Sequence, residues 1–195
     1  MNRHLYRHNR QAGFSMIEVM VSLVILLFGL LGLVGLIIVS QRAETESYQR
    51  SQALLLLQDV AGRINANRRV ARCYAITTDA VNGAPYLGNG STLTPACGFG
   101  TTQANTLAVN DITAWSNLLT GAAETLGGTK IGAMVGARGC VSYDTTTGIY
   151  LVSVAWQGVV ATAVPTANLT CGIGLYGNES LRRVVGMNVL VTNLN

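Results

Sequence analysis

In the stretch GFSMIEVMVSLVILLFGLLGL, Gly13 to Leu33, Glu18 is the only charged side chain. A carboxylate surrounded by lipid is costly unless it is paired with a cation or kept in reach of water. A position at the start of a helix favours an acid through the helix dipole, which explains tolerance of Glu18 but does not require it. The other groups with evident chemistry are four cysteines, Cys73, Cys97, Cys140 and Cys171, all beyond the apolar run. None forms a C-x-x-C pair, and both histidines, His4 and His8, precede Gly13, so the usual clustered Cys and His zinc arrangements are missing. Disulfides in an oxidising compartment are the expected chemistry. Four cysteines allow three connectivities, and sequence alone does not choose among them. The preferred pairing is Cys73 with Cys97 and Cys140 with Cys171, because each closes a local loop.

Catalytic constellations are scarce. Beyond Phe14 there is no histidine and a single lysine, Lys130, which removes Ser-His-Asp and Cys-His nucleophiles, His metal sites and most lysine chemistry. Carboxylates such as Asp79, Asp111, Glu124 and Asp144 are scattered singly, and no phosphate-binding G-x-x-x-x-G-K-[ST] loop occurs. The expectation is no enzyme, no catalytic residue, no metal and no cofactor. The formal charge of +4 includes Arg3, Arg7 and Arg10; from Phe14 onward 10 basic residues face 9 acidic ones, for +1. Nucleic acid is therefore not an expected partner, since a binding domain would carry a basic face in its folded part.

The elements that must position these groups begin with the apolar run. From Val19 to Val39 only Ser22 is polar, and about 20 such residues suffice to cross the hydrocarbon core. Cations before the run place the N-terminus in the cytoplasm and export the rest. A cleavable secretory signal has a shorter apolar core, of about 7–15 residues, followed by a small-residue site; here the small residue Gly13 lies before the run. Past the run, Ala53, Leu57, Val60 and Ile64 fall at i, i+4, i+7 and i+11, one face of a helix. No proline precedes Pro85, so one continuous helix from about Phe14 to about Arg72 is expected, with a membrane half at 14–40 and an amphipathic half at 41–72. Arg63, Arg68, Arg69 and Arg72 gather where the helix dipole favours cations; they read as a solvated helix end or as a docking patch for a neighbouring subunit.

Residues 73–195 read as an exported α+β head. Its first part, 73–106, is rich in Gly, Thr, Asn and Ala and is expected to be a loop region. Asp111 is a plausible N-cap for a short helix with Ile112, Trp115 and Leu119 on one face. Residues 129–195 are expected to form an antiparallel sheet. Within it Cys140–Tyr143, the turn-like Asp144–Gly148 and IYLVSVAWQ make a hairpin, and a last strand runs from about Leu181 to Thr192. Gly29, Gly32 and Gly35 in the apolar run permit close helix packing and also weaken the helix.

The run GFSMIEVMVSLVIL resembles the class III signal and N-terminal helix of type IV pilins and pseudopilins: a short basic leader, here residues 1–13, ending in Gly, then Phe, then Glu four residues on, then about twenty apolar residues. The resemblance implies cleavage between Gly13 and Phe14 by a prepilin peptidase, N-methylation of Phe14, and a long helix packed on an antiparallel sheet. Within the superfamily, FGLLGLVGL, DITAW, GCVSYD with VSVAWQG, Cys171 and Arg182-Arg183 resemble minor pilins of the PilV type. What this implies is a structural subunit of a type IV pilus that takes part in priming, assembly or a tip complex. Its partners would be other minor pilins, the major pilin, the peptidase, the inner-membrane assembly platform and the lipid bilayer. It would reside in the inner membrane, N-terminus cytoplasmic and head periplasmic, before joining a pilus at the cell surface. Cleavage would give Phe14 a cationic amine, and Glu18 would pair with that amine in its own or an adjacent subunit. Alternative readings are a minor pseudopilin of type II secretion, a DNA-binding minor pilin, and an anchored periplasmic enzyme.

Overall fold

A computed structural model of the chain describes residues 13–123, 125–130 and 134–192. They divide into two compact units between Glu44 and Thr45. The longest element, helix α1, spans Met16–Ala66. In the first unit its side chains are exposed on every side, as befits a segment whose surroundings are not water. No kink interrupts the helix at Gly29, Gly32 or Gly35, and nothing lies within 4 Å of a Cβ built at any of the three.

The second unit is an α+β head, the end of a long helix packed on an antiparallel sheet. There α1 becomes one-sided: Gln49, Ala53, Leu57, Val60, Ala61 and Ile64 are buried. Fully burying a residue such as Leu57 or Ile64 contributes about 1.5–3 kcal/mol. Helix α2, Thr102–Leu119, adds Ala108, Ile112, Trp115 and Leu119 to the same core. The facing layer is a four-stranded antiparallel sheet ordered β1-β4-β5-β6, with β1 at Leu87–Gly88, β4 at Arg138–Tyr143, β5 at Ile149–Gln157 and β6 at Arg182–Leu190. A separate two-stranded ribbon pairs β2, Thr125–Leu126, with β3, Thr129–Lys130.

The β4–β5 hairpin aligns Val141 with Val152 and Tyr143 with Tyr150. Asp144 holds its turn by accepting from Thr146 N at 2.8 Å and Thr147 Oγ1 at 2.7 Å, and Gly148 supplies the positive φ of 72° that closes it. Tyr150, Val152, Val154 and Trp156 alternate into the helix-facing core, as period-two spacing requires. The opposite face of β5 is also covered: Ala155 joins Cys140, Cys171 and Tyr176 in a second apolar cluster under the chain between β5 and β6.

Three expectations change. The α-helix stops at Ala66, and Arg68–Tyr74 form a tighter 3-10 segment in which Val70, at φ −120°, leaves the helical region. The break follows from Asn67, whose side-chain amide donates to Ala104 O at 2.9 Å, and from the turn that carries Val70, Ala71 and Cys73 into the core. Residues 73–106 are not wholly loop, because β1 pairs there with β4 and α2 already begins at Thr102. Asp111 is consequently an interior residue of α2; the N-cap is Thr101, whose hydroxyl accepts from Ala104 N at 3.3 Å.

Candidate functional site

The N-terminal segment is built around a helix start. Gly13, Phe14 and Ser15 precede α1, and Ser15 O accepts from Glu18 N at 3.0 Å and from Val19 N at 3.3 Å, forming the first turn. That geometry leaves Gly13 and Phe14 outside the helix, open to a second molecule. Nothing lies within 4 Å of a Cβ placed on Gly13, and Phe14 is 84% exposed. Glu18 is the one acid in the first turn, and its carbonyl accepts from Ser22 Oγ one turn later. The hydroxyl of the one polar residue in the apolar run is thereby satisfied within the helix, as lipid demands. The helix passes the length and apolarity required of a membrane span, with none of that stretch buried inside the chain's own fold. The arrangement joins an accessible peptide bond, a carboxylate one turn beyond it, and an apolar rod needing lipid or other helices around it. Leader residues 1–12, including the expected cations, lie outside the described residues.

The head holds charges in structural rather than reactive settings. Arg63 on α1 donates from Nε to Asp59 at 2.8 Å and from Nη1 to Asp111 at 2.8 Å. Tyr74 donates its hydroxyl to the other Asp111 oxygen at 2.6 Å. Burial, reinforced by the Asp111 carboxylate, raises the Tyr74 phenol well above its ordinary value, which makes it a poor nucleophile or base. The group ties α1, the 3-10 segment and α2 together. Arg183 on β6 reaches Glu46 on α1, Nη2 to Oε1 at 3.2 Å, and the same oxygen accepts from Val159 N at 2.9 Å. Arg182, almost wholly buried, donates to Leu169 O at 2.6 Å, to Cys171 O at 3.2 Å and to Glu179 at 2.6 Å, fixing the chain between β5 and β6.

Two disulfides reinforce these junctions. Cys73 is bonded to Cys97, tying the segment after α1 to the approach to α2, and Cys140 to Cys171, tying β4 to the chain before β6. No free cysteine remains among the described residues. Among them there is also no group of three or more His, Cys, Asp or Glu placed to hold a metal. The scattered carboxylates stay apart: Asp79 caps its own turn through Val81 N and Asn82, and Asp144 holds the hairpin. Glu124 lies outside the described residues. Sequence reasoning missed the Glu46–Arg183 pair, whose partners are 137 residues apart with no local signal linking them.

With that geometry in view, a family model described as the prokaryotic N-terminal methylation motif matches residues 8–34, a span that includes Gly13, Phe14 and the start of α1. No curated protein and no solved structure matches the chain. The motif supports a type IV pilin-like protein, a pilin or pseudopilin that is a substrate of prepilin peptidase. The same motif, with the long apolar helix, supports membrane anchoring and incorporation into a pilus.

Proposed function

We propose that the chain is a minor pilin of a type IV pilus, of the PilV type, cut between Gly13 and Phe14, N-methylated at Phe14, and built into a priming or tip complex with other minor pilins and the major pilin. The observation that carries this reading is the accessible Gly13–Phe14 junction with Glu18 one turn into an apolar helix, inside the matched segment 8–34. Before assembly the protein sits in the inner membrane, head in the periplasm, in contact with the assembly platform. After assembly it is part of the surface filament.

Glu18 has the assembly role in this reading. Once the leader is gone, Phe14 carries a cationic amine in the same apolar layer, and pairing offsets the cost of placing the carboxylate in lipid. An adjacent subunit's amine serves as well as its own, so the pair sets the register of an incoming subunit. The decisive experiment is recovery of the tagged full chain from membranes and sheared filaments, with mass spectrometry of its N-terminus. A mature form beginning at methylated Phe14 and recovered with pilins is the expected result. An intact Met1 leader on membrane-embedded protein would overturn it.

A further inference from the structure

The four arginines near the end of α1 do not act as one group. Arg63 is neutralised by Asp59 and Asp111. Arg68, Arg69 and Arg72 have no carboxylate partner among the described residues; all three are exposed, and all three line one cleft of about 360 Å³ with Tyr143, Gly148, Tyr150, Leu190 and Val191. Its wall thus comes from the 3-10 segment on one side and from the β4–β5 hairpin and the end of β6 on the other.

The aromatic residues decide how this cleft works. Tyr143 and Tyr150 are a cross-strand pair with ring centroids 4.6 Å apart, and the Arg72 guanidinium lies 4.2 Å from the Tyr143 centroid. Tyr150 is nearly fully buried. Neither ring therefore offers a free face on which a nucleotide base could stack, the usual platform for single-stranded nucleic acid. Instead Tyr143 holds Arg72 in place by cation–π contact, so less side-chain freedom is lost when it takes an anion. Three guanidiniums in one compact cleft suit one or two anionic groups, not the extended basic track that follows a phosphate backbone. Guanidinium forks match carboxylates through paired N–H donors.

We infer that this cleft is a docking site for an acidic segment, one or two Asp or Glu side chains, on a neighbouring filament subunit. The inference rests on the pilin reading for the presence of such a neighbour, and on charge complementarity for its chemistry. Arg68 and Arg69 supply the attraction, and Arg72, fixed by Tyr143, supplies the directional contact.

The test uses the full chain in the cell that produces it, with a photo-crosslinking amino acid at position 69 and crosslinked peptides identified by mass spectrometry from membranes and from sheared filaments. The expected crosslink falls on an Asp- or Glu-containing segment of another pilin-like subunit. Arg68→Glu with Arg69→Glu is expected to lower filament recovery at least fivefold at unchanged membrane abundance, and reversing the identified acid to Arg is expected to restore it. Two results overturn the inference: a crosslink to nucleic acid or to a segment without acids, or a double reversal that leaves filament recovery unchanged. Because the crosslink is also read in membranes, it answers even if the chain never enters a pilus. An intact leader, by contrast, would sink the pilin reading alone.

Discussion

Asp111 shows how far a single side chain can depart from the role its surroundings suggest. It precedes an apolar helical stripe, as a capping acid would, yet it sits inside α2, and Arg63 and the Tyr74 hydroxyl bind its two oxygens. Asp111→Ala would take one of two carboxylate acceptors from the Arg63 guanidinium and leave the buried Tyr74 hydroxyl without its acceptor, at a cost of about 1–3 kcal/mol. Tyr74→Phe removes only the hydroxyl and is expected to cost less, about 1 kcal/mol; urea unfolding of the full chain in detergent compares the two. Glu179 makes a pH-dependent contribution. Burial acts to raise its carboxyl, but the Gly174 N–H and the Arg182 guanidinium outweigh that and hold it below its ordinary 4.5. Its stabilisation is therefore complete above that ordinary value and is lost as pH falls through the depressed one. Glu179→Gln should accordingly be less stable than the parent at neutral pH, with the gap closing as pH falls below the ordinary 4.5 and through the depressed value; Asp79 and Asp144, also lowered, are common to both proteins and cancel in the difference. At the other end of the chain, Glu18→Ala is expected to leave membrane insertion intact and to reduce filament incorporation about tenfold, the loss of one charge pair of about 1.4 kcal/mol. Immunoblots of membrane and sheared fractions read both quantities, and equal filament recovery would refute the assembly role.

Among the elements, α2 meets the sheet at a place where a side chain has been omitted. A Cβ on Gly139 of β4 would lie 2.5 Å from Trp115 Cη2 and 2.6 Å from Leu119 Cδ1. Trp115 cannot readily retreat, being 1% exposed and bonded through Nε1 to Leu56 O of α1 at 3.0 Å. Gly139→Ala is expected to destabilise the head by about 1–3 kcal/mol through overpacking, seen as a lowered urea midpoint with an unchanged slope. Much of this architecture is legible from spacing. Ala53, Leu57, Val60 and Ile64 define the buried face of α1, and alternation through IYLVSVAWQ with Asp144 and Gly148 in the turn defines the hairpin. The start of α2 is legible too when the stripe is extended toward the N-terminus: Ala108 and Ala104 continue the spacing of Ile112 before Asp111, with Thr101 ahead of them. Alanine is a weak marker of a buried face, and the more conspicuous acid suggests a start ten residues late. The two-residue strand β1 has no pattern of its own, since it exists only by pairing with Gly139 and Arg138.

For the whole molecule, the N-terminal motif and the head differ in how much their sequences disclose. The motif is contiguous, so charge, glycine and apolar length can be read off directly. The cleft of Arg68, Arg69, Arg72, Tyr143 and Tyr150 joins residues from three segments, and only folding brings them together. The disulfides make such long-range geometry durable. They close separations of 24 and 31 residues, and the loop-closure account assigns each about 3–4 kcal/mol. Cys140→Ser with Cys171→Ser should lower the stability of the full chain by about that amount, and the pair should be inert to alkylation until reduced. The chain between β5 and β6 is held near both ends, by Thr162 N to Ser180 O at 2.8 Å and by Arg182 on Leu169 O and Cys171 O. The tip between Ala163 and Asn168 touches little and is largely exposed. That makes it a place where a small fluorescent tag can be carried without disturbing the fold, so that copies of this chain in a single filament could be located and counted by light microscopy.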